Sequence, residues 1–403
     1  MTTRTDVDWH LLAYGFLFMF WSSPGQTYLI SLYSNEIRTE FALSHGEFGA
    51  LYSLATLLSA GVLVWSGRLV DRVELMRLSL ALVLLLALAC WWMSAAGGVL
   101  SLLGALFLLR QIGQGLMSHT AVATMVRYFE SARGRATAVA MVGFAVAEAV
   151  LPALTIAMIT AVGWRMAWQH TATAIVLVMV PATWYSLRGH RQRHQRYLTR
   201  LYGSGDDRSR PIQRQWSRGE VLRDHNFYIM LPVYLAPAFF FTGFFFHQVH
   251  LVAAKGWDLS WWGERFAVYA GAALLSTLLT GPLVDRVGAT RLLPVFSLPL
   301  AAAFVLLSVS SSTVMAVVFL VLTGITTGWA PTVMGPFWAE RYGVQHLGSI
   351  KALGSTLMVF SSALSPFLLG WLIDRQVSID TLAMASAVYI IAASGFVALA
   401  FRR

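Results

Sequence analysis

Long runs of apolar residues, separated by short polar connections, follow one another along the whole chain. Crossing a bilayer core takes about 20 apolar residues in an α-helix, and twelve windows of the sequence reach that length. The apolar residues are continuous and do not alternate with polar ones, which excludes transmembrane β-strands. The pattern therefore predicts an all-α polytopic membrane protein with twelve transmembrane helices. The predicted spans are residues 11–34, 46–66, 78–96, 99–127, 136–162, 166–187, 228–254, 262–284, 292–311, 314–338, 352–373 and 380–400.

Composition supports the membrane assignment and limits the chemistry of the chain. Of the 403 residues, 57% are hydrophobic and 12% are charged, whereas soluble domains carry about 25% charged residues. Cys90 is the only cysteine in the sequence, so an intramolecular disulfide and a cysteine-based metal site are excluded. We therefore expect neither a soluble enzyme nor a cofactor.

The positions of the basic residues predict the orientation of the chain. With both termini in the cytoplasm, 23 of the 29 Lys and Arg residues lie in cytoplasmic loops or tails, as the positive-inside rule requires. The net charge of +10 then reflects attraction of these loops to anionic lipid headgroups, and no nucleic-acid partner is expected. We predict a multi-pass protein of the inner (cell) membrane with both termini cytoplasmic.

The two halves of the chain share a motif. Residues 67–72, Gly-Arg-Leu-Val-Asp-Arg, follow the second predicted span, and residues 281–286, Gly-Pro-Leu-Val-Asp-Arg, follow the eighth. An offset of 214 residues separates the copies, which indicates duplication of a six-helix unit. The expected organisation is an amino-terminal bundle at 1–187, a basic cytoplasmic linker at 188–225 and a carboxy-terminal bundle at 226–403.

The sequence resembles the major facilitator superfamily over its whole length, in its six plus six spans, its basic middle loop and this repeated motif. The family pattern is Gly-x-Leu-x-Asp-Arg-x-Gly; the second copy fits it with Gly288, and the first departs at Glu74. The resemblance implies two six-helix bundles and secondary transport by alternating access. It also implies a conformational latch in the two loops, although their charges could serve only to keep the loops inside. The latch residues would be Gly67, Asp71, Arg72, Gly281, Asp285 and Arg286.

Two ionisable residues are expected near the middle of the membrane, where an uncompensated charge is costly. Arg110 in the fourth span and Glu148 in the antiparallel fifth span reach similar depth. Gln114 lies one α-helical turn from Arg110, on the same face. In the functional interpretation Arg110 binds an anionic substrate, because its planar fork suits a carboxylate, and Glu148 either competes for Arg110 or carries a proton. The alternative is a static buried pair that fixes the two helices together.

Weaker candidates for substrate binding lie in the first, seventh and tenth spans. Pro24 and Gly25 interrupt the first span, which either opens backbone carbonyls to a cavity or produces an ordinary kink. In the family the first, fourth, seventh and tenth helices line the substrate cavity, and Thr326 and Thr327 of the tenth could reach it. The remaining candidates are Gln26, Tyr28, His247 and Trp329.

Together these features predict a secondary transporter and not an enzyme. The expected substrate is a small organic anion such as a monocarboxylate, moved by a monomer in symport with protons. A proton-driven multidrug exporter is the alternative within the same class. A transport-inactive membrane sensor is the alternative from another class.

Overall fold

A computed structural model of the protein describes residues 8–129, 132–190, 193, 195, 216–343 and 345–401. All regular secondary structure within these ranges is helical, which confirms the all-α prediction. Nine helices in the described part of the chain are long and apolar enough to cross a membrane. The first, sixth and ninth predicted spans are built from shorter helices, so the twelve-helix fold is complete. Most of the predicted linker, 188–225, lies outside the described residues.

Polar side chains begin several of the long helices. Asp258, Ser312 and Ser378 each stand just before a helix and accept a hydrogen bond from a backbone N–H of its first turn. Asp8 does the same for the helix Trp9–Trp21. Since the first N–H groups of a helix lack a partner within it, these caps fix where each apolar run becomes helical.

One compact unit comprises residues 1–30 and 58–208. A buried hydrogen bond of 2.8 Å between Tyr14 Oη and Ser79 Oγ ties its first helix to the third span. Its fourth span changes from α-helix to π-helix and back, with the π-helical part at Arg110–Met117. The helices are Trp9–Trp21, Ser23–Gly25 (3₁₀), Thr27–Ile30, Leu69–Arg72, Leu75–Ala95, Val99–Leu109, Arg110–Met117 (π), Ser118–Tyr128, Arg133–Val162, Trp164–Ala174, Ile175–Met179 (π) and Val180–Ser186.

The other compact unit comprises residues 31–57 and 209–403. Residues 31–57 were expected in the amino-terminal bundle, and they pack here because two glycines allow backbones to touch. A Cβ on Gly49 would overlap the Pro366 carbonyl, and one on Gly370 would overlap the carbonyl of His45. The helices are Ser31–Tyr33 (3₁₀), Ser34–Phe41, Arg218–Val221, His225–Phe246, Gln248–Ala254, Leu259–Val287, Ala289–Leu292, Leu298–Val309, Thr313–Tyr342, Leu347–Asp374 and Ile379–Ala400, with His45–Ser66 beginning in this unit and ending in the other.

Candidate substrate sites

The interruption of the first span forms a tight contact with the fourth. Ser23–Gly25 is a 3₁₀ turn, and it lies against the π-helical segment Arg110–Met117. A Cβ on Gly113 would come within 2.8 Å of both the Gly25 nitrogen and the Ser22 carbonyl oxygen. Only glycine therefore fits at this crossing, where the two backbones meet without side chains between them.

Arg110 occupies the same crossing. Its side chain is buried, with 4% of the residue exposed, and Nη1 donates a hydrogen bond of 3.0 Å to the Gly25 carbonyl. Proline at position 24 and the 3₁₀ geometry divert this part of the backbone from a regular helix, which leaves the carbonyl available. The sequence left open whether this interruption frees backbone carbonyls or is an ordinary kink, and in the structure Arg110 binds the Gly25 carbonyl.

Glu148 is also buried, with 6% of the residue exposed, on the helix Arg133–Val162. Among the described residues no ion pair joins it to Arg110, so a direct salt bridge of these two is absent from this structure. Glu148 is near enough to Tyr28 for an electrostatic interaction between them. The Tyr28 ring packs edge-on against Phe144, which lies one turn before Glu148, with 6.2 Å between the ring centroids. Tyr28 is thus placed beside the buried carboxyl.

The glutamine expected next to Arg110 is exposed, and a different glutamine is buried. Gln114 is exposed and Gln26 is half-buried. Gln111, 4% exposed, accepts a hydrogen bond of 3.1 Å from Ser59 Oγ and donates one of 2.8 Å to Ser66 Oγ. The one-turn argument for Gln114 assumed an α-helix, and the wider π-helical turn changes which residues share a face.

A second candidate site is a cavity of about 370 Å³ inside the unit that contains the carboxy-terminal helices. Ligand pockets of this size are typically apolar with a few polar groups that fix orientation. Aromatic and apolar side chains form most of the wall, and Thr326, Thr327 and Lys351 supply polar groups. The aromatic lining residues are Tyr234, Phe241, Phe296 and Trp338.

Lys351 is the charged residue in this wall, and it stands just before the predicted span 352–373. It lies in the helix Leu347–Asp374 and is half-buried. In the described part of the chain it forms no salt bridge. Trp329 does not line the cavity but packs against the apolar core of this unit, and His247 is elsewhere, with Nε2 donating a hydrogen bond of 2.8 Å to the Pro366 carbonyl.

The two copies of the loop motif differ in their contacts. Arg127 donates to the Asp71 carboxylate and, at 3.1 Å, to the Val70 carbonyl, while Arg72 is exposed. In the second copy Asp285 and Arg286 are exposed and make no ion pair among the described residues.

Glu340 contacts the chain just after the second copy, and each copy begins with a glycine, Gly67 or Gly281. Glu340 accepts hydrogen bonds of 3.0 and 3.1 Å from the backbone nitrogens of Ala289 and Thr290, and so caps the helix that follows the second copy. A Cβ on Gly281 would meet no atom of the described residues within 4 Å, and the short contact of one on Gly67 would be with the carbonyl of Leu63, four residues earlier in the same segment. In the described part of the chain neither glycine therefore marks a tight contact between two helices.

The helical fold, the buried charges within spans and the cavity among the carboxy-terminal helices are together typical of a polytopic membrane transporter. The chain matches the Major Facilitator Superfamily over residues 11–263 and 256–403, and it belongs to that family. This confirms the resemblance seen in the sequence.

Solved structures share the fold at low sequence identity. The nucleoside transporter NupG is 11% identical, with a TM-score of 0.71 over 99% of this chain and 100% of its own. A bacterial homolog of the human lysosomal transporter Spinster, inward-facing and occupied, is 16% identical, with a TM-score of 0.65 over 97% of this chain and 96% of its own. Comparison with curated protein sequences gives no match. These likenesses show the fold and leave the substrate to the residues of the site.

Proposed function

We propose that the protein moves a small organic anion across the cell membrane in symport with protons, by alternating access, with both termini in the cytoplasm. The observation that carries this proposal is the buried Arg110, held by the Gly25 carbonyl at the crossing of two interrupted helices. A guanidinium inside a membrane span marks a substrate or ion pathway by default. The planar fork of its guanidinium matches the two oxygens of a carboxylate.

Glu148 is the proposed proton carrier. It is buried near Tyr28 and forms no ion pair among the residues that the structure describes. A carboxyl group inside a membrane span, away from fixed cations, is suited to gain and lose a proton during transport. Its protonation would alter the electrostatic field near Tyr28 without breaking a salt bridge.

The cavity of about 370 Å³ supports an anion that also has an apolar part. Lys351 provides a positive charge at its wall, and the rings of Tyr234, Phe241 and Trp338 provide apolar surface. The same apolar lining favours the second candidate function, a multidrug exporter. An anion transporter would need the positive charges of Arg110 and Lys351, whereas a multidrug exporter would not.

Uptake into proteoliposomes tests the proposal. A panel of aromatic and aliphatic monocarboxylates would be offered with and without a pH gradient, to the wild type and to Arg110→Lys, Arg110→Ala and Glu148→Gln. We expect both Arg110 variants to lose anion uptake, because an ammonium cannot reproduce the fork. Glu148→Gln should keep substrate exchange and lose the response to the pH gradient. The matched control is Arg265→Gln, which removes a positive charge paired at the surface with Glu264.

Three outcomes would separate the alternatives. Full pH-driven uptake in Arg110→Ala would reject the anion site and favour a multidrug exporter. Misfolding of both single variants with recovery in the Arg110→Ala and Glu148→Gln double variant would indicate a static structural role. Absence of transport for every compound would favour the sensor interpretation.

A further inference from the structure

A second, smaller cavity lies at the other end of the unit that contains residues 31–57. Its volume is about 160 Å³, and it opens between the helix Ser34–Phe41 and the helix Gln248–Ala254. The basic-residue count places this end on the outer side of the membrane. Its polar wall includes Asn35, Arg38 and His250, and no Asp or Glu is among its lining residues. The cavity is therefore suited to a ligand that accepts hydrogen bonds.

Arg38 has a donor that lacks an acceptor within the described part of the chain. Its Nε is fully buried and makes no hydrogen bond there. Asp374 is near enough to act on the Arg38 charge, but its two carboxylate oxygens accept hydrogen bonds from the backbone nitrogens of His45, at 2.9 Å, and Gly46, at 2.7 Å. A buried N–H without an acceptor is destabilising, and Arg38 also lines the cavity, so its guanidinium is the group that a ligand oxygen there would meet.

Other groups around the cavity do not supply the missing negative charge. Glu36 also has a buried oxygen without a partner in the described chain, but it is two residues from Arg38 on the helix, which places it on another face, and it does not line the cavity. His250 lies in the helix Gln248–Ala254, and its imidazole carries at least one N–H in either protonation state, so it is able to donate a hydrogen bond. Its ring packs edge-on against that of His45, with 4.6 Å between centroids.

The cavity also has a route to solvent. An adjoining cleft of about 600 Å³ shares His45 and His250 with it, and Asp374 and Asp380 are among its other lining residues. Asp380 pairs with Lys255 at 2.6 Å, and Asp374 accepts hydrogen bonds from two backbone nitrogens at a helix start. Both acids of the cleft therefore have partners of their own, and the cleft gives an anion a path to Arg38.

We propose that this cavity binds a small carboxylate, with Arg38 as its principal partner and Asn35 and His250 as further donors. The guanidinium fork matches the two oxygens of a carboxylate. A bound carboxylate would connect the helix Ser34–Phe41 to the helix Gln248–Ala254, and so hold residues 31–57 on this unit. The proposed site shares no residue with Arg110, Glu148 or Lys351, and it stands independently of the proposed transport function.

Thermal unfolding of the purified full-length protein in detergent tests the site. Sodium acetate would be titrated at constant ionic strength against sodium chloride. We expect acetate to raise the unfolding temperature saturably in the wild type, and Arg38→Gln to weaken its apparent affinity at least tenfold. Arg38→Lys should fall between the two, because it keeps the charge and loses the fork. The acetate effect that remains in Arg110→Ala should weaken when Arg38→Gln is added, because this double variant isolates the site from the proposed transport site.

The controls make the result decisive. Arg265→Gln removes another positive charge on the same predicted side and should respond to acetate as the wild type does. Equal stabilisation by acetate and chloride, or an unchanged acetate affinity in Arg38→Gln or Arg38→Lys, would overturn the proposal. Loss of the effect in Arg110→Ala with retention in Arg38→Gln would also overturn it, since acetate would then bind only at Arg110. If Arg38→Gln does not fold, the Lys variant carries the comparison.

Discussion

Asp374 closes a contact between residues far apart in the sequence, and its removal gives a measurable prediction. The side chain lies at the end of the helix Leu347–Asp374 and accepts hydrogen bonds from His45, at 2.9 Å, and Gly46, at 2.7 Å. Those two nitrogens belong to the first turn of the helix His45–Ser66. The carboxylate therefore satisfies two N–H groups that lack a helical partner, and it faces the positive end of the helix dipole.

The free energy expected to be lost in Asp374→Asn follows from these two hydrogen bonds. Asp374→Asn keeps one acceptor oxygen, so one hydrogen bond to a charged group, worth about 1.5–3 kcal/mol, is lost or weakened. Loss of the negative charge at the amino-terminal end of the helix costs a further ~0.3–1 kcal/mol, which is the range for a surface-exposed charge at that position. Asp374 is exposed, and water replaces part of what is removed, so the expected net loss is about 1–2 kcal/mol. That corresponds to a change of about 5–30-fold in an equilibrium constant.

Hydrogen–deuterium exchange followed by mass spectrometry measures this directly. We expect exchange in peptides covering residues 45–57 to become about 5–30-fold faster in Asp374→Asn. Glu264→Gln is the control, because it removes a carboxylate whose partner, Arg265, is on the surface. Unchanged exchange in residues 45–57, or equal acceleration in the control, would show that Asp374 does not hold this segment.

Three further predictions concern the first unit, the larger cavity and the loops. Gly113→Ala should destabilise the protein by about 1–3 kcal/mol, because its Cβ meets two backbones; a thermal unfolding temperature equal to the wild type would contradict the described crossing. Lys351→Gln should raise the half-saturation concentration for an anionic substrate about tenfold, equivalent to about 1.4 kcal/mol, and leave that for a neutral analogue unchanged in uptake assays. Asp71→Asn, which loses the Arg127 contact, should accelerate exchange in its loop, whereas Asp285→Asn should not; equal responses would reject the difference between the two copies.

Much of the fold could be predicted because membrane spans have a strong local signal. A run of about 20 apolar residues has few structural alternatives, and both the number and the order of the spans were correct. The interruption at Pro24 and Gly25 was also predicted, since proline and glycine act on the backbone where they stand. The structure adds that the exposed carbonyl of Gly25 is used by Arg110.

The structural features that could not be predicted are those that no short stretch of the sequence encodes. Nothing in the apolar pattern marks the π-helical turn at Arg110–Met117, so the buried Gln111 was not among the predicted residues. Lys351 stands just before the predicted span 352–373, and its place in a cavity wall exists only after helices have packed. The hydrogen bonds that Asp374 accepts from the backbone nitrogens of His45 and Gly46 join residues more than 300 positions apart. Such pairs cannot be found from the spacing of residues along one chain.

The crossing of Gly25 and Gly113 has a consequence for how this transporter should be mutated. The position of Arg110 is determined there by two main chains in contact, with no side chain between them. A scan that truncates residues to alanine removes atoms at most positions, but at these two it adds them. The scan would thus report a gain of volume as though it were the loss of a function. The informative experiment at this point is a graded series of additions, Ala, Ser and Val, in which the displacement of the arginine grows with the size of the inserted side chain.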